Sequence, residues 1–161
     1  MNKTTRYLTQ GAIIAALYVV LTFIANALGL ANGVIQVRFS EALTILPFFT
    51  PAGIPGLMIG CLLSNILTGC SIFDIIFGTL ATFIGAVFTY LLRKHKFLAP
   101  VPPIVANVLI IPPVLKIAYG AADSLPFLMA TVGIGEVISC GVLGMLLLFA
   151  LNKQRNVIFA Q

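Results

Sequence analysis

The chain carries four acidic residues, and they bound what chemistry it can do. Glu136 stands out, because it lies inside an apolar run, GIGEVIS, with no helix end nearby for it to cap. A carboxylate at such depth in a membrane helix costs at least about 2.5 kcal/mol on insertion scales. It therefore needs a ligand or a partner, and Lys116 on the preceding apolar segment is the structural partner available. Glu41 follows Arg38 by three residues in QVRFSEALTILPFFTPAGIP. The two could pair with each other, and an acid in a first helical turn also suits the helix dipole. Asp74 stands three residues after Ser71, the spacing of a capping box. Asn65 and Asn107 sit within apolar segments, where an amide either bonds helix to helix or meets a ligand. Tyr119, one turn from Lys116, is either an interfacial anchor or a ring for a ligand to lie against. Asp123 falls in a connecting loop and is expected to be solvated.

Several reaction classes lack their parts. There is one histidine, His95, in a basic loop, so no histidine metal or catalytic cluster can form. Cys61, Cys70 and Cys140 have no CxxC spacing and read as small packing residues. No GxxxxGK[ST], HExxH or GxSxG motif occurs, which removes P-loop nucleotide binding and gives hydrolysis no positive support. No catalytic residue, metal or cofactor is assigned. What remains is recognition by carboxylates, amides and an arginine.

The elements that position these groups are membrane helices. Hydrophobic residues make up 60% of the chain and charged ones 8%, against about 25% charged in soluble domains. That is too little polar surface for a water-soluble globule. The formal charge of +5 is then a matter of loop orientation rather than of nucleic-acid binding. Apolar segments are expected over residues 7–28, 40–49, 55–68, 72–92, 100–119 and 126–151. Ser40 is the expected N-cap of the second, a Pro-Gly-Pro turn from Pro51 to Pro55 separates it from the third, and Pro112-Pro113 should kink the fifth. Missing backbone donors there are tolerated where a helix lines a cavity, which makes the fifth segment a candidate pocket wall. Ala25-Asn26-Ala27 has the form of a signal-peptidase site. The small-residue face Gly11, Ala12, Ala15 and Ala16 argues instead for a retained, packing helix.

Basic residues orient the whole. Lys3 and Arg6, then Arg93, Lys94 and Lys96, then Lys153 and Arg155 hold all but two of the nine lysines and arginines. Cytoplasmic loops are enriched in these residues, so an even number of spans should separate each pair of clusters. The 40–68 region then crosses twice, as two short helices. The expectation is an all-α membrane protein, residues 1–161 forming a single domain of six transmembrane helices with both termini cytoplasmic. Arg38, Glu41, Asp74, Lys116 and Asp123 then fall at or near the outer face, and Glu136 about a third of the way down the last span.

VRFSEALTILP, the proline-glycine turn, Asn65 to Gly69, SIFDIIFGTLAT and the Gly135-Glu136 pair together resemble the QueT family over nearly the whole chain. These are substrate-binding S components of energy-coupling factor (ECF) transporters, assigned to uptake of queuosine precursors. The resemblance implies an S-component fold in a prokaryotic cell membrane, with a pocket near the outer face for a 7-deazaguanine in its cyano or aminomethyl form. It implies a transmembrane coupling subunit and two ATPase subunits as partners, with Ala12 and Ala16, an AxxxA element, in the docking face. A deazaguanine presents a ring N–H beside an exocyclic amine, which one carboxylate can accept as a bidentate pair. Its carbonyl would take a donor from Arg38, Lys116 or an asparagine amide, and a cationic aminomethyl group would want a second carboxylate. The substrate-binding candidates are thus Glu136, Glu41, Arg38, Asn65, Asp74, Asn107, Lys116 and Tyr119. The rival readings are an S component for another vitamin-like molecule, a small intramembrane enzyme using Glu136 and Glu41 as acid and base, and an assembly subunit without a ligand.

Overall fold

Apolar side chains cover the outside of this molecule. Leu8, Ile13, Leu17, Val20 and Ile24 form an exposed ridge along the first helix, and Leu146 and Phe149 do the same on the last. Exposed apolar surface on this scale is stable against lipid rather than water. The computed structural model describes residues 2–31 and 35–158. It contains helices and, among the described residues, no strand.

Among the described residues, four helices are long and apolar enough to cross a membrane: α1 (Lys3–Ala27), α3 (Asp74–Leu91), a helical stretch Lys96–Tyr119 whose main part is α4 (Val101–Tyr119), and α5 (Leu125–Asn152). Two shorter apolar helices lie between α1 and α3: a 3₁₀ helix (Phe39–Phe48) and α2 (Gly53–Leu67). At roughly 2 Å per residue the first spans about 20 Å, and α2 at 1.5 Å per residue spans about 22 Å. Each is short for the roughly 30 Å hydrocarbon core of a bilayer.

The 3₁₀ helix is the hub. Ser40, Thr44 and Ile45 are fully buried, and α1, α2, α3 and α5 all pack around it. Runs of 3₁₀ helix beyond three or four residues are uncommon; this one is enclosed on every side and contains Pro47, which lacks an N–H. The expected N-cap at Ser40 is not formed. The helix begins at Phe39 after Arg38, and the Ser40 hydroxyl instead accepts a hydrogen bond from Thr22 of α1 at 2.9 Å.

Small residues set how closely α1 and α2 approach. A Cβ on Gly56 would come within 2.8 Å of the Gly11 carbonyl, and one on Gly60 within 2.7 Å of the Tyr18 Cβ. This close approach involves the half-buried Gly11 and the buried Ala15, both of which face α2. Ala12 and Ala16, one residue further round, are exposed.

Two π-helical stretches interrupt the long helices. One begins α3 (Asp74–Gly78) and the other lies within α5, immediately after Glu136 (Val137–Leu143). Such bulges are frequent at functional sites. Between α3 and α5, α4 runs through Pro112 and Pro113 and ends at Gly120, whose φ of 62° terminates it in the left-handed region.

Candidate functional site

Among the described residues, the polar groups gather around two of the cavities between these helices. The first, of about 190 Å³, is lined by Arg38, Asn107, Asp123, Thr131 and Glu136 with apolar walls from Ile111, Leu115, Phe127, Leu128 and Val132. The second, of about 710 Å³, is bordered by Tyr18, Ser40, Asn65, Asp74 and Tyr119 among others. Gln36, Arg38 and Leu115 belong to both. Arg38 therefore stands at the wall between them.

Helix geometry explains how Glu136 reaches the first cavity. The preceding Gly135 lies against the chain entering the 3₁₀ helix, where a Cβ would collide with the Gln36 carbonyl. That close approach draws α5 against Gln36 and Arg38, and the Arg38 N–H donates to the Ser139 hydroxyl at 3.1 Å. Cys140, one turn after Glu136, donates to the Glu136 carboxylate at 3.1 Å and sits 3.5 Å from the Glu41 carbonyl. Asn107 of α4 reaches the same carboxylate.

Glu41 lies beneath this cavity rather than on its wall. It is 3% exposed. One carboxylate oxygen accepts the Tyr18 hydroxyl of α1, and the other is buried without a hydrogen-bond partner. Carboxylate oxygens of Glu41 and Glu136 lie within 4.8 Å of each other, with the Cys140 sulfur in the same radius. Arg38 is within electrostatic reach of both acids, although its guanidinium hydrogen bond runs to Gln36 at 3.4 Å. Two hard carboxylates with one soft thiol favour no particular metal, and a cation placed among them would face the Arg38 guanidinium.

Asp74 and Tyr119 both line the second cavity. The Ser71 hydroxyl accepts the Asp74 N–H at 3.2 Å, one half of the expected capping box. The other half is replaced: the Ser71 N–H donates to the Tyr119 hydroxyl at 3.2 Å, and Tyr119 donates to the Asp74 carboxylate. Asn65 gives its amide N–H to the Asp74 carbonyl at 3.2 Å, at the point where the π stretch begins.

Of the residues singled out from sequence, the structure brings Arg38, Asn107 and Glu136 to one cavity and Arg38, Asn65, Asp74 and Tyr119 to the other. Glu41 is buried behind them. Lys116 is exposed and lines neither cavity, so it is placed as neither ligand donor nor partner for Glu136. Sequence reasoning overlooked Tyr18, Gln36 and Ser139 and set Cys140 aside as packing. A tyrosine in the middle of an apolar helix needs a partner for its hydroxyl, and Cys140 stands one helical turn from Glu136; both signals were present. Asp123, expected to be solvated, is exposed and also borders the first cavity.

The QueT transporter family model matches residues 8–153. The chain belongs to the QueT transporter family. A queuosine precursor transporter QueT from Lactococcus lactis subsp. cremoris is 39% identical over 85 residues, which cover 52% of this chain and half of that protein's length. No solved structure matches the chain. QueT proteins are transporters, not enzymes, and this member is a multi-pass protein of a prokaryotic membrane. The family is described as transporters, which favours transport over a small intramembrane enzyme with Glu136 and Glu41 as acid and base.

Proposed function

We propose that this chain is the substrate-binding component of an ECF-type uptake transporter and captures a 7-deazaguanine queuosine precursor at the outer face. The observation that carries the reading is the first cavity, where Glu136, Asn107 and Arg38 converge. The Glu136 carboxylate accepts the ring N–H and exocyclic amine of the base together. Arg38 or the Asn107 amide donates to its carbonyl. Leu115, Phe127 and Leu128 offer apolar surface to the ring faces. At about 190 Å³ the cavity suits one small bicyclic base.

The membrane arrangement consistent with this reading has six crossings and both termini inside, with the 3₁₀ helix and α2 as the two short crossings. A coupling subunit and two ATPases complete the transporter. Ala12 and Ala16 on the exposed side of α1 are the proposed contact with the coupling subunit. A relative named as a queuosine precursor transporter supports the substrate class.

The test is mass spectrometry of small molecules extracted from the purified protein, followed by calorimetric titration with the 7-cyano and 7-aminomethyl deazaguanines. A deazaguanine in the extract and saturable binding of either base is the expected outcome. An extract free of deazaguanines together with no binding of either base overturns the reading.

A further inference from the structure

One carboxylate oxygen of Glu41 is buried without a hydrogen-bond partner. A buried carboxylate oxygen without a partner is costly, and a carboxylate oxygen of Glu136 lies within 4.8 Å of one of the two Glu41 carboxylate oxygens. Two carboxylates sharing a site cannot both ionise freely.

The other groups facing the pair do not supply the missing positive charge. From α1 comes Tyr18, which donates one hydrogen bond to Glu41. From α2 comes Cys61, within electrostatic reach of Glu41, and from α5 Cys140; both are neutral thiols when protonated. From just before the 3₁₀ helix comes Arg38, a cation within electrostatic reach of both acids. The Thr79–Leu91 part of α3 and the last part of α5, Gly144–Asn152, contain no acidic or basic residue, and Asp74 at the start of α3 lines the second cavity, where it adds further negative charge. On α4, Lys116 is exposed and outside both cavities. Asp123, bordering the same cavity as Glu136, adds negative charge. One arginine thus faces two closely spaced carboxylates.

We infer that the Glu41–Glu136 pair holds one proton while the cavity is empty and releases it when a cationic ligand enters, so that the site exchanges a proton for a positively charged substrate. The inference rests on the functional reading above, and concerns the charge state of the substrate that the same cavity takes. An aminomethyl deazaguanine brings a primary ammonium. Its charge does for the pair what the proton does in the empty site, and both carboxylates become ionised. The proton leaves to solvent, so net charge in the site is conserved across the exchange. A neutral cyano base brings no charge and leaves the proton in place. Glu136 touches the ligand from the cavity wall; Glu41 acts through Glu136 as a positioning and charge-setting residue.

Calorimetry on the purified full chain reads this directly. Titration with the 7-aminomethyl base in buffers of different ionisation enthalpy should report release of about one proton per ligand near neutral pH, whereas the 7-cyano base should report none. The bound state then carries fewer protons, so affinity for the aminomethyl base should rise about tenfold per pH unit while the free pair is protonated. In Glu41→Gln, where no second carboxylate can share the proton, release should disappear. Binding of the aminomethyl base without proton release, or equal release with both bases, overturns the exchange and leaves the functional reading intact. Binding of neither base overturns the functional reading and the exchange with it. The wild-type measurement decides the matter even if Glu41→Gln fails to fold.

Discussion

Glu136 is where contact with a ligand and support of the bundle make opposite predictions. It lines the cavity, yet it also accepts the Cys140 thiol at 3.1 Å. Glu136→Gln keeps the shape and replaces one acceptor oxygen with a donor amide. Losing a charge-assisted hydrogen bond costs roughly 1.5–3 kcal/mol, so affinity for either deazaguanine should fall by at least about tenfold. The check is titration of the purified variant beside a thermal melt without ligand. A depressed melt with unchanged affinity would make Glu136 a structural residue. The legibility of such residues was uneven. Glu136 declared itself by depth alone. Tyr18 left a weaker signal: a hydroxyl in an apolar helix needs a partner, but only the tertiary structure shows that the partner is Glu41.

At the scale of the helix, α1 shows how one stripe of small residues serves two purposes. Gly11 and Ala15 are spent on the close approach of α2, while Ala12 and Ala16 remain exposed. A 100° step per residue separates the two pairs, so a sequence stripe that reads as one surface becomes two. Ala16→Trp should therefore leave ligand binding intact and abolish co-purification of a coupling subunit, because a bulky side chain on the exposed pair prevents close helix contact. Pull-down of the complex from membranes expressing the variant is the measurement; full recovery at normal yield would assign docking elsewhere. The π stretches were invisible in sequence. One starts at Asp74 and the other directly after Glu136, and nothing in the local residue types distinguishes a π turn from an α turn.

For the molecule as a whole, topology is the open expectation. The three basic clusters call for an inside location of the Arg93–Lys96 loop and both ends. In a Cys70→Ser background, His95→Cys should resist a membrane-impermeant maleimide in intact cells and react once the cells are permeabilised. Leu30→Cys should react in intact cells. Labelling of position 95 from outside would invert the orientation and with it the side from which the cavities are filled.

Membrane class, the helical segments, the glycine and proline breaks and the family are all determined by the sequence, because apolar run length and loop charge are one-dimensional properties. Helix boundaries were legible to within a few residues for the same reason. Which residues face the cavity was decided only by the tertiary structure. In water a helix betrays its buried face by being apolar there and polar elsewhere. In lipid both faces are apolar, so the rotation of each helix about its axis leaves little trace in the sequence. That rotation separates Lys116, exposed, from Asn107, buried on the same helix α4. It also brings Glu41 and Glu136, 95 positions apart in the chain, within 4.8 Å.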